Sequence, residues 1–210
     1  MEHTQPSQAC ATLKSRTDYR LRIARVVTEA STPSLLTALV LPAIGAHGSP
    51  DTATGIWFGL LAGLFVALIP FAFVWLRVRS GRLTDHHVGR RDQRIVPLLV
   101  GLCSVLVGLG LLAVLGAPRE LTALVVAGSV GLTVTMIVSL RWKMSVHTGV
   151  AAGCVAVLAL VFGPVVLALC PLLVLVGWSR IQLGDHTPNQ VVAGAIVGSS
   201  VAAVVFSLLQ

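Results

Sequence analysis

Long apolar stretches separated by short polar connections make up the chain from residue 33 to its end. A helix that crosses a membrane needs about 20 predominantly apolar residues, with a range of roughly 17–25. The glycine and proline residues at 116–118 and 163–164 are typical of tight turns between antiparallel helices. The pattern predicts an all-α fold, an integral membrane helical bundle of about six or seven transmembrane helices. The apolar segments lie near residues 33–48, 54–77, 96–116, 120–141, 147–162, 164–179 and 188–209.

The N-terminal region has a different pattern. Residues 1–17 are polar and are expected to be disordered, whereas residues 18–31 place apolar side chains at helical spacings among arginines. That arrangement suits an interfacial helix ahead of the first span, and a basic solvated helix is the alternative. We therefore divide the chain into a basic cytoplasmic tail with an interfacial helix, residues 1–31, and a transmembrane domain, residues 32–210.

Composition supports the membrane assignment. The 210 residues are 55% hydrophobic and only 11% charged, with a mean hydropathy of +0.89, whereas soluble domains have about 25% charged residues. The four cysteines show no CxxC spacing, and three of them lie inside apolar runs. They are expected to be small packing residues, and they imply no metal site or disulfide framework.

The basic residues are strongly biased to one side of the predicted bundle. The tail, the connections at 78–95, 141–146 and 180–187, and Arg77 at the end of the adjoining span account for 14 of the 15 lysines and arginines, and Arg119 is the exception. The positive-inside rule places this side, with the N-terminus, in the cytoplasm. Because the charge is explained by topology, a nucleic-acid partner is not expected.

Three polar clusters fall on that same side, at residues 85–94, 141–149 and 179–190. A helical bundle can bring all three together at one end. They contain four of the six histidines, which are His86, His87, His147 and His186.

These clusters contain the residue types that bind and transfer phosphate. Arg94 and Arg180 stand at the edges of spans, and arginine offers a planar fork of donors suited to phosphate. Ser145 precedes Val146 and His147, which begin a predicted helix whose N-terminal amides favour an anion. Histidine can act as a nucleophile or as a general acid and base near neutral pH.

In order and spacing, the clusters resemble the type 2 phosphatidic acid phosphatase superfamily, to which vanadium haloperoxidases are related. Ser179-Arg180, five residues and then His186 match the third signature of that family. Ser145-x-His147 resembles the second signature, Pro-Ser-Gly-His. The chain resembles a divergent bacterial membrane member, which implies a location in the bacterial cell membrane.

The resemblance implies a role for each residue. His186 would attack phosphorus and form a phosphohistidine, and His147 would protonate the leaving oxygen. Family phosphatases use no metal, so no cofactor is expected. The phosphoryl oxygens would be held by Arg94, which aligns with the Arg of the first signature, and by Arg180, Ser145 and the amides of Val146 and His147.

The sequence also departs from the family pattern. In the first signature, His87 replaces Lys and Ile95 replaces Pro. In the second, Met144 replaces Pro and Val146 replaces Gly. In the third, Gln190 stands where the family has the Asp that orients the nucleophile, so orientation could survive while electrostatic support falls.

We expect a carboxylate elsewhere to replace that Asp. Asp85 is favoured because it can belong to a structured DxH segment with His87, and Asp185 is the alternative. A helix cap or an ion pair would explain Asp85 equally well, and Asp185 could be a solvated loop acid. Weaker candidates, which could equally be surface cations and anchors, are His86, Arg90, Arg91 and Lys143.

The resemblance implies a phosphatase acting on a lipid-linked phosphate or diphosphate, with the lipid substrate and the bilayer as partners. A cytoplasmic site suits a substrate made inside the cell, such as a prenyl diphosphate or a polyprenyl phosphosugar phosphate. Two other functions stay open: a non-catalytic lipid-binding or assembly protein on a decayed phosphatase scaffold, and a cyclase-like enzyme that processes prenyl diphosphates. Association into a homo-oligomer also stays open.

Overall fold

A computed structural model describes residues 6–81, 95–139 and 141–210, and every regular element among them is helical, as predicted. The helices are α1 (Pro6–Ala30), α2 (Pro33–His47), α3 (Thr52–Gly63), α4 (Ile69–Arg79), α5 (Ile95–Val114), α6 (Arg119–Ser139), α7 (Val146–Phe162), α8 (Cys170–Gln182) and α9 (Pro188–Leu209). A π-helical turn, Leu64–Leu68, joins α3 to α4, and a 3₁₀ segment, Pro164–Leu169, leads into α8.

The predicted count of six or seven transmembrane helices is not confirmed. Within the described ranges, four stretches are long and apolar enough to cross a membrane, and α1 with α2 gives a fifth if that pair, bent by 42°, is one span. Helices α2 and α7 are shorter, with 15 and 17 residues, whereas α5 has 20. The 15 residues of α2 rise about 22 Å, against a hydrocarbon thickness of about 30 Å. The four stretches are Thr52–Arg79, Arg119–Ser139, Pro164–Gln182 and Pro188–Leu209.

Helix α1 begins at Pro6, so residues 6–17 are helical and the expectation of disorder is wrong for them. The helix packs against α8. Thr28 is buried at this contact, and its hydroxyl lies 3.1 Å from the hydroxyl of Ser179, which donates in turn to the carbonyl of Val176. The N-terminal helix is therefore attached to the segment of α8 that carries Arg180.

Helices α7 and α9 form the most extensive helix contact among the described residues. Each has glycines four residues apart, Gly149 and Gly153 in α7, and Gly194 and Gly198 in α9. A Cβ atom added at Gly198 would overlap the carbonyl oxygen of Gly149. Small residues at this spacing let two helix backbones approach closely in a bilayer, so the pair forms a rigid centre.

Polar contacts define the two ends of the bundle. At one end, the Nδ1 atom of His47 lies 2.9 Å from Glu120, and the Nε atom of Arg119 donates to the carbonyl of Leu209 at 2.8 Å. The connections at 141–145 and 183–187 meet at the other end, where α7 and α9 begin and α8 finishes. The predicted grouping of these two connections is therefore confirmed.

Candidate phosphate-binding site

The end of α8 fixes the distance between Arg180 and His186. The N–H of Gly184 donates to Ile181 O at 3.0 Å, and the N–H of Asp185 donates to Arg180 O at 3.2 Å. These two bonds form a Schellman motif, in which the residue after the helix adopts a left-handed conformation. Gly184 does so, with φ of +72°. The N–H of His186 also donates to Arg180 O, at 3.3 Å, so His186 is held directly beside the arginine.

The next residues start α9, with Thr187 as the N-cap and Pro188 at the first position. Gln190 completes a capping box: its N–H donates to the Thr187 hydroxyl at 3.4 Å, and its Oε1 accepts from the Thr187 N–H at 3.2 Å. Such a box satisfies two N–H groups that the helix itself cannot. It also fixes the Gln190 amide, because its oxygen must face the backbone donor.

The same oxygen orients the imidazole of His186, whose Nδ1 lies 3.2 Å from Gln190 Oε1. Since Oε1 is an acceptor, Nδ1 carries the proton, and the neutral ring then has its lone pair on Nε2. Gln190 therefore occupies the orienting position that the sequence comparison assigned to it, without the charge of a carboxylate.

Burial and positive neighbours keep the His186 ring neutral. Desolvation is the largest cause, followed by the charge of Lys143, and together with Arg180 they lower the pKa of His186 to about 4. The hydrogen bond to Gln190 and the charge of Asp185 act in the opposite direction. A neutral ring at pH 7 is the form that can attack phosphorus.

Asp185 is more than a solvated loop acid. Its Oδ2 lies 2.9 Å from Nη2 of Arg180, and the arginine side chain is 5% exposed whereas that of Asp185 is 44% exposed. The carboxylate therefore partly neutralises a buried guanidinium, which would be costly to leave uncompensated. The Gln190 amide makes the contact to His186, whereas Asp185 raises the pKa of His186 through its charge, and its role as the replacement carboxylate stays a prediction.

The second cluster begins α7. Val146 begins the helix as predicted, and Ser145 is its N-cap, whose buried hydroxyl accepts from the N–H of Thr148 at 3.5 Å. Val146 and His147 occupy the first turn, whose N–H groups face out of the helix end. The His147 side chain is buried. Amides, a hydroxyl and an imidazole are thus collected at one helix N-terminus, which favours an anion.

Three hydrogen bonds join this cluster to the start of α9 and to the turn before it. The N–H of Ser145 donates to Gln190 O at 3.2 Å, and Lys143 Nζ donates to Asp185 O at 2.6 Å. The hydroxyl of Thr148 donates to Val191 O at 3.1 Å. Lys143, expected to be a weak candidate, therefore ties the two clusters together and places its positive charge near His186.

Four predicted site residues, Asp85, His87, Arg91 and Arg94, lie outside the described residues, as do His86 and Arg90. Their roles stay predictions. Within the described ranges, no group of three or more His, Cys, Asp or Glu side chains is arranged to hold a metal ion.

Sequence reasoning missed three residues that support the site. Thr28 contacts Ser179, Thr148 bonds across to α9, and Gly194 lies so close to Ser145 and Thr148 that a Cβ there would meet the Ser145 carbonyl oxygen. The paired Gly-x-x-x-Gly spacing in α7 and α9 could have indicated Gly194. Nothing local to Thr28 or Thr148 marks them, because their partners are distant in sequence.

The geometry places two histidines, an arginine and the N-terminal amides of α7 at one end of an apolar helical bundle. Residues 138–210 match the family model described as the PAP2 superfamily, which includes both clusters of the described site. The predicted resemblance to the type 2 phosphatidic acid phosphatase superfamily is confirmed over this region. The family supports a phosphatase-type activity. Comparisons with curated proteins and with solved structures gave no match.

Proposed function

We propose that the protein is a membrane-embedded phosphatase that hydrolyses a lipid-linked phosphate or diphosphate of the prenyl or polyprenyl type. The observation that carries the proposal is the 3.2 Å contact from His186 Nδ1 to Gln190 Oε1. This contact uses Nδ1, so the lone pair of the neutral imidazole, on Nε2, points away from the capping box. The turn that precedes His186 also fixes Arg180 beside it. A positioned nucleophile next to a phosphate-binding cation is the minimum that phosphoryl transfer requires.

In the proposed reaction, His186 Nε2 attacks phosphorus and forms an N–P bond while the P–O bond to the lipid breaks. His147 gives a proton to the leaving oxygen. Water then attacks phosphorus, His147 takes a proton from that water, and the N–P bond breaks to release phosphate. The lipid leaves as an alcohol from a monophosphate, or as a monophosphate from a diphosphate.

Arg180, Ser145 and the first-turn amides of Val146 and His147 would hold the phosphoryl oxygens. Their value is electrostatic, because fixed donors in a partly dry site stabilise charge more than water does. Arg180 is 4% exposed and Ser145 is fully buried, so both are well shielded. Arg94, with Arg91 and His87, would complete this set from the segment outside the described residues, and Asp85 would add the carboxylate there.

The site is proposed to face the cytoplasm, and the substrate to be a lipid phosphate made inside the cell. Cysteine labelling tests the orientation in a variant whose native cysteines are replaced by alanine. Ser80→Cys lies just beyond α4 on the site side, and Ala53→Cys lies at the start of α3 on the other side. In intact cells, a reagent that cannot cross the membrane should label only position 53; labelling of position 80 alone would reverse the orientation.

A second function is favoured by one observation, the uncharged partner of His186. An amide supports the cationic phosphohistidine less than a carboxylate does, so the scaffold could bind a lipid phosphate without turning it over. Phosphate release from the purified protein separates the two functions, across phosphatidic acid, prenyl monophosphates and prenyl diphosphates.

His186→Ala should abolish release while the protein stays folded. His47→Gln is the matched control, because His47 lies at the opposite end of the bundle, and it should keep wild-type turnover. A wild-type protein that binds these lipids but releases no phosphate would exclude the phosphatase and leave the scaffold. A phosphoenzyme stable in base and labile in acid, absent in His186→Ala, would identify the intermediate.

A further inference from the structure

A cavity of about 230 Å³ lies among α2, α6, α7 and α9. Its wall includes Met144 and Val146, the two neighbours of Ser145, and continues along α7 to Cys154. That part of α7 is about 12 Å long at 1.5 Å per residue. The cavity therefore starts at the phosphate-binding loop and runs into the interior of the bundle.

The walls of the cavity are apolar. No charged side chain and no histidine is among the described residues that line it. The hydroxyls of Thr37 and Ser129, which do line it, donate to carbonyls of their own helices, Pro33 O at 2.8 Å and Val125 O at 2.7 Å. Ser34 and Thr135 also line the cavity, but most of the wall is apolar. The space therefore suits hydrocarbon better than water, since a buried water needs two to four polar partners.

Two of its lining residues, Gly128 and Gly131 on α6, differ from the other glycines in the wall. A Cβ at either would meet nothing within 4 Å, whereas a Cβ at Gly194 or Gly198 would overlap backbone atoms of α7. Helix packing therefore requires glycine at 194 and 198 but not at 128 and 131. The small residues on α6 therefore leave open volume in the cavity.

We propose that this cavity binds the hydrocarbon tail of the substrate, next to its phosphate, and that Gly128 and Gly131 keep the space open for it. The proposal rests on the proposed function, because the phosphate site supplies the anchor for the tail. An apolar cavity of about 150 Å³ holds benzene, so this one holds roughly the first nine carbons of a tail. Longer tails extend past Gly128, which is exposed, toward the lipid.

The test uses water-soluble alkyl monophosphates of increasing length, from four carbons upward, below their micelle concentrations. For wild-type protein, kcat/KM should rise up to about fourfold per CH₂ and level off near nine carbons. For Gly131→Leu and Gly128→Leu, kcat/KM should level off at a shorter tail. It should fall at least tenfold below wild type for the longest tails and stay unchanged for the four-carbon substrate.

Gly110→Leu is the matched control, because Gly110 lies on α5 outside the cavity and a Cβ there also meets nothing within 4 Å. It should follow the wild-type series. If the α6 variants and Gly110→Leu give the same dependence on tail length, the proposal is wrong.

A binding experiment separates this proposal from the proposed function and does not depend on the α6 variants folding. An alkyl phosphate with a diazirine near its sixth carbon is photolysed with the wild-type protein and with His186→Ala. Attachment of the probe within residues 124–135 or 150–154 supports the tail site. If the wild-type protein shows this attachment but releases no phosphate, only the phosphatase proposal fails. Attachment confined to other helices overturns the tail site, even if turnover is fast.

Discussion

The carbonyl of Arg180 accepts the backbone N–H of His186 at 3.3 Å, as well as that of Asp185 at 3.2 Å. The proposed phosphate clamp and the proposed nucleophile are therefore linked through the backbone, across a turn that depends on the left-handed conformation of Gly184. The reach of His186 toward a phosphate held by Arg180 is set by that turn.

Gly184→Ala should slow turnover without unfolding the protein. A left-handed conformation costs a residue with a Cβ about 1–2 kcal/mol, so the turn should shift and move His186 away from the bound phosphate. We expect kcat to fall at least tenfold and the free energy of unfolding to fall by about 1 kcal/mol. Phosphate release and denaturant unfolding measure the two effects.

The control for this variant is Gly110→Ala, where a Cβ has open space and φ is helical. It should leave both quantities near wild type. Unchanged kcat in Gly184→Ala, with the expected loss of stability, would show that the turn does not position His186 for catalysis.

Gln190→Glu should strengthen the support for His186. The substitution keeps the side-chain length and converts a neutral hydrogen bond to Nδ1 into a charge-assisted one, which is about twice as strong. We expect the pKa of His186 to rise, because the carboxylate favours the protonated ring, and phosphohistidine formation to accelerate. Single-turnover kinetics and a ¹⁵N NMR titration of the imidazole measure these changes.

Gln190→Met tests the opposite change, because it keeps the side-chain length but removes the oxygen that accepts from His186 Nδ1. It should slow formation of the intermediate at least tenfold. Equal rates for the Met, Glu and wild-type proteins would show that Nδ1 needs no partner at position 190.

The acid limb of kcat/KM should lie near pH 4. His186 must be neutral to attack, and its pKa is lowered to about 4, mainly by burial and by Lys143. Lowering the pH below this value protonates the nucleophile, so activity is lost on the acid side. Lys143→Met removes a positive charge and should move the limb to higher pH. Asp185→Asn removes the charge that raises the pKa and should move it to lower pH.

The pH dependence of kcat/KM for the three proteins provides the measurement, since this ratio reports the ionisation of the free enzyme. Shifts of the limb in the same direction for Lys143→Met and Asp185→Asn would contradict the assignment of that limb to His186.

Gly198→Ala should destabilise the bundle more than the same change at Gly128. A methyl at position 198 would overlap the Gly149 carbonyl, whereas position 128 has open space. Overpacking of this kind costs about 1–3 kcal/mol, and the displaced α9 would carry Gln190 with it. In detergent, the unfolding temperature of Gly198→Ala should be clearly lower than those of Gly128→Ala and the wild-type protein. Equal unfolding temperatures would mean that α7 and α9 do not depend on this close contact.

Local patterns predicted much of the fold. The apolar segments expected near 33–48, 96–116 and 188–209 are the helices Pro33–His47, Ile95–Val114 and Pro188–Leu209. Their ends are set by prolines, glycines and caps such as Thr187, which are readable in sequence. The number of spans was less predictable, because a helix shorter than the hydrocarbon thickness can pair with a neighbour or be covered by it.

The site was predictable where its geometry is local. His186, Gln190 and Thr187 lie within one turn of each other, so their spacing was enough to identify the orienting position. The ion pair from Asp185 to Arg180 depends on the geometry of the Schellman turn, and the bond from Lys143 to Asp185 O joins residues 42 apart. Neither can be read from the order of residues, because each depends on how the helices pack.

The turn after α8 should respond differently to substitutions and to changes in its length. Its hydrogen bonds come from backbone atoms and depend on the number of residues between Arg180 and His186, not on the side chains of Ile181, Gln182 and Leu183. Those three positions should accept many substitutions, whereas the insertion or deletion of a single residue there should abolish activity. In a mutational scan, the number of residues between Arg180 and His186 should matter for activity, and the identity of those three side chains should not.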